Sequence, residues 1–171
     1  MQLVAPDPTW TEKFTAQRDQ LVALMPEVRV EHIGSTSIPG IVAKPIVDLL
    51  IGAPDEPGQH AARVVLRTAG WTEEGNRPGH AWLCLPDPAN RAYIAHVVVA
   101  GDDVWHKRLT FRDELRAHPE IATEYQALKQ NLAARHHGDL TAYTRAKAEF
   151  VTDVLNRQRG SHSPLRATLR P

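Results

Sequence analysis

Little in this chain points outside the cell, to a membrane or to nucleic acid. It has one cysteine, Cys84, so no internal disulfide can form. No apolar run is long enough to span a bilayer, and the first residues lack the basic segment and apolar stretch of a secretory leader. Net charge is also missing. Twenty basic and twenty acidic side chains cancel, which leaves no global field to attract nucleic acid or an anionic membrane. The nine histidines fall at spacings that match no zinc signature. There is no internal repeat. These absences predict a soluble, cytoplasmic protein that works on a small molecule, with no membrane partner; its oligomeric state is not legible. At 171 residues the chain fits one domain with a sizeable core. That domain is expected over 1–158, with 159–171 (ending SPLRATLRP) as a flexible tail.

The apolar spacing of Trp10, Phe14, Leu21, Val22 and Leu24 predicts an opening helix over 10–25, with Asp7 and Thr9 as start signals. Strands are expected near 28–34 and 45–51, followed by a Pro- and Gly-bearing loop and a helix near 58–69. The Ala81–Pro86 run, the Asp87–Asn90 turn and the strand Ala92–Val99 read as an antiparallel hairpin. From about 104 to 158 the pattern is helical, with Pro119 opening or interrupting a helix and His136–Asp139 marking a break. The predicted class is therefore α/β (α+β), a mixed β-sheet with flanking helices and a helical C-terminal portion.

The passage Glu31–Gly52, EHIGSTSIPGIVAKPIVDLLIG, concentrates the chemistry. Gly34 and Ser35 form a small polar pair that lets backbone N–H groups and a hydroxyl approach a phosphate. Thr36 adds a second hydroxyl. Lys44 brings a compact positive charge ahead of the apolar run Ile46–Ile51, in which Asp48 is the only polar residue. A carboxylate in such a run is expensive to bury without a partner.

These blocks resemble the GrpB family, regarded as a divergent branch of the nucleotidyltransferase superfamily related in fold to polymerase β. The likeness runs through the DPTW segment at Asp7–Trp10, the HIGST and AKPIVDLL blocks, AYIAHVVV at Ala92–Val99, FRDELRAHPE at Phe111–Glu120, EYQALK at Glu124–Lys129 and YTRAKAEFV at Tyr143–Val151. It implies a nucleotidyltransferase-like sheet and an enzyme that uses magnesium, bound together with nucleotide, to transfer a nucleotidyl group from a nucleoside triphosphate such as ATP to a small-molecule acceptor. In that superfamily a Gly-Ser turn holds nucleotide phosphates, and Asp-x-Asp or Asp-x-Glu on the next strand binds metal with a third carboxylate. On this chain Gly34, Ser35, Thr36, Lys44 and Arg112 become the expected phosphate-binding residues. Asp48 becomes the metal ligand, and Asp48, His96 and His32 the expected catalytic group.

The pattern also departs from that superfamily. Leu50 stands where the second carboxylate belongs, and His96 takes the position of the third. Imidazole is a poor magnesium ligand but can accept a proton or contact phosphate. Two other readings therefore stay open: an ATP-dependent ligase or other group-transfer enzyme on the same fold, and a nucleotide-binding module without catalysis. The residues have plainer readings too. Ser35 is able simply to cap a turn, Lys44 to be an ordinary surface lysine, and His96 to be a hydrogen-bonded core residue beside Ile94 and Val98. Strand alternation lets only one of Glu31 and His32 face the cleft, and His32 is the expected one. Arg112 and Arg116, four apart on a helix, either clamp an anion or make local ion pairs. Tyr143 and Lys147 are equally ambiguous.

Overall fold

The computed structural model describes residues 3–135 and 140–161. Helix α1 (Thr9–Leu24) begins where the Asp7 carboxylate accepts from the Thr9 backbone N–H at 2.9 Å. Strand β1 (Arg29–Ile33) leads to the turn at Gly34, a single 3₁₀ turn at Ser35–Ser37 and, after an irregular connection, strand β2 (Val47–Ala53). Helix α2 (Glu56–Thr68) is capped by Asp55, whose side chain accepts from the Gly58 N–H at 2.7 Å. The strands β3 (Thr72–Arg77), β4 (His80–Leu85) and β5 (Tyr93–Val99) follow, then the helices α3 (Asp103–Ala117), α4 (Pro119–Arg135) and α5 (Leu140–Ser161).

The expected hairpin is present as β4 paired antiparallel with β5, and β3 adds a third strand to it. Pro119 opens α4 rather than breaking a helix, as its fixed φ and missing N–H favour. The break expected at His136–Asp139 lies outside the described residues, as does the tail from 162. Helix α5 runs through Ser161, into the segment expected to be flexible.

The sheet has the order β1-β2-β5-β4-β3, with β2 and β5 parallel and every other pair antiparallel. This is the mixed α/β architecture the sequence predicted. Alternation along the central strands divides the side chains between two faces. Val47, Leu49, Ile51, Ala95 and Val97 point to the main core, where Trp10 and Leu21 of α1 and Ala62 and Leu66 of α2 cover them. Asp48, Leu50, Ile94, His96 and Val98 alternate onto the other face. There Trp105 of α3 packs with Ile33, Leu50 and Val98. It lies so close over Gly52 that a Cβ at residue 52 would fall 2.5 Å from its ring.

The C-terminal helices dock on the connection between the Gly34 turn and β2. Ile38 and Ile41 join Leu115 of α3, Ala122 and Tyr125 of α4 and Val154 of α5 in a separate apolar cluster. Two α4 side chains also satisfy the backbone of Val42: Gln126 Oε1 accepts from its N–H at 2.7 Å, and Lys129 Nζ donates to its carbonyl at 2.6 Å. The irregular connection is thereby held by helices far away in sequence, which closes one side of a cleft over Asp48.

Candidate functional site

Gly34 turns the chain with φ 71° and ψ −175°, a conformation essentially confined to glycine. The turn also lies against β2: a Cβ on residue 34 would sit 2.1 Å from Asp48 Oδ2. The two motifs of the sequence therefore meet in space, with turn backbone touching the one carboxylate of the apolar strand. Gly34→Ala is expected to cost about 1–3 kcal/mol from backbone strain alone and to displace Asp48 as well. Denaturant unfolding checks this, with a lower midpoint and an unchanged slope as the expected result.

Asp48 and His96 converge as the strand pattern predicted. His96 Nε2 is 3.7 Å from Asp48 Oδ1, with the two side chains 15% and 25% exposed. Across the sheet His96 Nδ1 is 3.0 Å from His80 Nε2, and Arg108 of α3 approaches the same His80 nitrogen at 3.5 Å. Burial depresses the pKa of both rings, His80 to about 3, and the Arg108 charge adds to the effect while Asp48 partly opposes it at His96. Both imidazoles are neutral at pH 7.

On the other side of Asp48 a cavity of about 180 Å³ is lined by Ser35, Lys44, Ile46, Asp48, Ile94, Lys129 and Lys147, with Leu3 at its edge. Three ammonium groups thus surround a space bearing one carboxylate. Lys44 is held below the ordinary lysine pKa by burial and by Lys147 nearby. Lys129 is only 2% exposed, and burial, aided by Lys147, pulls it down to about 8. Its ammonium lies 4.9 Å from the centre of the Tyr125 ring.

Several expected site residues go elsewhere. His32 is opposite Leu49 in the ladder, on the main-core face, and stacks on Phe14 with ring centroids 4.6 Å apart. Its Nε2 meets Thr36 Oγ1 at 3.1 Å, and burial lowers its pKa to about 4. Glu31, opposite Leu50, takes the cleft face instead, because successive residues of a strand alternate. Thr36 is buried and donates to the Ile46 carbonyl at 3.3 Å, so its hydroxyl ties the turn to β2 and is not offered to a phosphate.

Arg112 is also committed. Its guanidinium donates to Glu31 Oε2 at 2.7 Å, to the His32 carbonyl at 3.2 Å and to Asp113 Oδ1 at 2.7 Å, while Arg116 donates to the Ser37 carbonyl at 2.9 Å. These two arginines are struts between α3 and the β1 turn. Of the two readings left open for this pair, the structure shows bonds within the chain, with its own carboxylate and carbonyl oxygens taking up guanidinium donors. The side chain of Tyr143 lies outside the described residues. Lys129 escaped the sequence reading altogether; its signal was a lysine at helical spacing among the apolar residues Ala122, Tyr125 and Leu132.

Magnesium finds a poor fit in these side chains. At position 50, where a second carboxylate belongs, Leu50 is fully buried in the Trp105 cluster. Glu31 stands opposite but is engaged by Arg112. Among the described residues no three His, Cys, Asp or Glu side chains are grouped to hold a metal. Nor does any described helix have the length and apolarity to cross a membrane.

The profile of the family described as GrpB protein matches residues 1–157. A UPF0157 protein of Deinococcus radiodurans is 48% identical over 158 residues, 92% of this chain and 82% of that one. The crystal structure of the conserved protein GrpB from Enterococcus faecalis superposes with a TM-score of 0.77 at 28% identity, covering 92% of this chain and 99% of that one. A Cid1 poly(U) polymerase with magnesium and 3′-dATP bound shares the fold at a TM-score of 0.52 and 14% identity, over 84% of this chain and 49% of the polymerase. The chain therefore spans about half of that polymerase, and the likeness extends to the nucleotidyltransferase fold.

Proposed function

We propose that this chain, which belongs to the GrpB family, transfers a nucleotidyl group from a nucleoside triphosphate to a small acceptor. The observation that carries the reading is the cavity beside the Gly34–Ser35 turn, which Lys44, Lys129 and Lys147 line together with Asp48. A space lined by three lysines beside a Gly-Ser turn suits a multiply charged anionic ligand. At about 180 Å³ the space is smaller than the roughly 300–1,000 Å³ of whole-ligand pockets, so it holds phosphates and leaves the nucleoside outside.

In the proposed reaction a hydroxyl or amine of the acceptor attacks the α-phosphorus. The new bond to phosphorus forms as the bond to the bridging oxygen of the β-phosphate breaks, and pyrophosphate leaves with the electron pair. Lys44, Lys129 and Lys147 offset the charge on the pyrophosphate, the Ser35 turn orients the phosphates, and His96 takes the acceptor's proton. Asp48 is the side chain that would contact a magnesium ion carried in by the phosphates; the steps above rest on the side chains alone. A cytoplasmic location fits a substrate such as ATP.

Asp48→Asn tests the assignment, because it preserves size and removes charge. Nucleotide binding in the presence of magnesium should weaken at least tenfold while the melting temperature holds or rises through relief of a partly buried charge. A marked loss of melting temperature with intact affinity would return Asp48 to the scaffold. Mass spectrometry of reactions with an acceptor panel then identifies the chemistry. A nucleotidyl adduct supports transfer, whereas joined fragments free of nucleotide mean ligation. Leu50 in place of a metal-binding carboxylate favours one other reading, a nucleotide-binding module, and magnesium-independent binding with no turnover would establish it.

A further inference from the structure

Asp48 and His96 separate two cationic regions, and the lysine cavity accounts for only one. Ile94 lines that cavity, and His96 lies two residues further along β5, about 7 Å away on the same face. Beyond it stand His80 and Trp82 of β4, Arg77 of β3 and Arg108 of α3. The ladder sets Trp82 opposite His96 and His80 opposite Arg77, so all four share the cleft face. Gly75 makes room for the wall: a Cβ there would meet the Trp82 ring at 2.3 Å.

Asp48 is the carboxylate whose charge reaches this second region. Among the described residues no carboxylate comes within ion-pair reach of Arg77 or Arg108. The contact Arg108 makes with His80, at 3.5 Å, uses a fraction of its five donors. His80 Nδ1 is buried with no hydrogen-bond partner, an uncommon state for a buried polar atom. Burial lowers the pKa of Arg108; the charge of Asp48 opposes that shift, and the Arg77 charge adds to it more weakly. Two guanidinium groups, one half-buried and one exposed, therefore stand beside the reaction centre, and among the described residues neither is in an ion pair.

We infer that Arg77 and Arg108, backed by His80 and walled by Trp82, form a separate subsite for the anionic group of the acceptor, a phosphate or a carboxylate. Rigid guanidinium forks suit both planar carboxylates and phosphates. The inference rests on the transfer reading for the word acceptor, but the anion site itself stands without it. It narrows the substrate to a small molecule with one nucleophilic group and one negative charge. Docked on the arginines, such a molecule reaches across His96 toward a phosphate held by the lysines.

The test titrates inorganic phosphate and, separately, succinate into the full chain, alone and with saturating non-hydrolysable nucleoside triphosphate, reading the ring resonances of His80 and His96 by NMR. One of the two anions should shift both rings and continue to do so when nucleotide is bound; the tighter one names the group. Arg108→Gln should weaken that binding at least tenfold, and Arg108→Lys, which keeps the charge, severalfold, with nucleotide affinity unchanged in both. Anion affinity unaltered in Arg108→Gln, or anion fully displaced by nucleotide, would overturn the subsite while leaving the lysine cavity intact. If nucleotide fails to bind and phosphate still binds through Arg108, the transfer reading falls and the subsite remains.

Discussion

Leu50→Asp, which writes the missing carboxylate back into the strand, lowers the melting temperature by about 10 °C and brings no tight magnesium binding. Leu50 is inaccessible to solvent and packs with Ile33, Val98 and Trp105. Removing a buried leucine side chain costs about 2–5 kcal/mol, before any cost of burying a carboxylate two residues from Asp48. For a chain of this length each 1 kcal/mol moves the midpoint by about 2–4 °C. The apolar seat under α3 has taken over the space in which a second ligand would stand, so a single substitution meets packing that cannot receive it. Calorimetric unfolding and a magnesium titration check both halves. A variant that melts like the parent and binds magnesium tightly would mean that the site is the ordinary metal pair with one residue changed.

Lys129→Met abolishes most of the affinity for a non-hydrolysable nucleoside triphosphate at pH 7, tenfold or more, without destabilising the fold. The ammonium is almost wholly buried, and its pKa of about 8 compares with 10.5 for the ordinary group. The folded pKa is the lower one. Below about pH 8 the native state therefore carries the full cost of the buried charge, about 3 kcal/mol. Between 8 and 10.5 the unfolded chain holds the proton and the native chain has lost it, so stability from this group rises with pH across that window. Methionine removes this cost and forfeits a hydrogen bond to the Val42 carbonyl worth about 1 kcal/mol. Stability at pH 7 holds or rises. Nucleotide affinity of the parent should fall as pH climbs through 8, where Lys129 discharges, and the variant should lose most of that slope. Isothermal calorimetry at pH 7, 8 and 9 reads it, and a variant with parental affinity would remove Lys129 from the phosphate site.

Within the passage Glu31–Gly52 the sequence was most legible where local rules suffice. Apolar strands that each carry one polar group near the turn pointed to the meeting of Asp48 and His96, and the β2–β5 register puts the two on one face. The glycine at 34 was readable as a turn, and the structure adds the stricter reason, the Asp48 carboxylate against its Cα. Alternation cannot say which of two neighbours faces the cleft, and that choice at Glu31 and His32 fell to the partner strand: His32 is opposite core-facing Leu49.

What the amino-acid sequence determined by itself is the order of elements, the mixed sheet, the family and the convergence of turn and carboxylate. All of these follow from short-range periodicity, turn chemistry and contiguous motifs. The lysine cavity and the arginine subsite were decided only by tertiary packing. Lys129 and Lys147 lie far along the chain from Ser35 and reach it because α4 and α5 dock on Ile38 and Ile41. Arg108 meets His80 because α3 crosses the sheet. The same packing made Arg112 a strut, since a guanidinium fork bonds whichever oxygens the fold brings to it, and here those were Glu31 and the His32 carbonyl. Charge that serves a ligand and charge that braces a helix look alike in one dimension. They differ in which groups of the chain other elements bring to them.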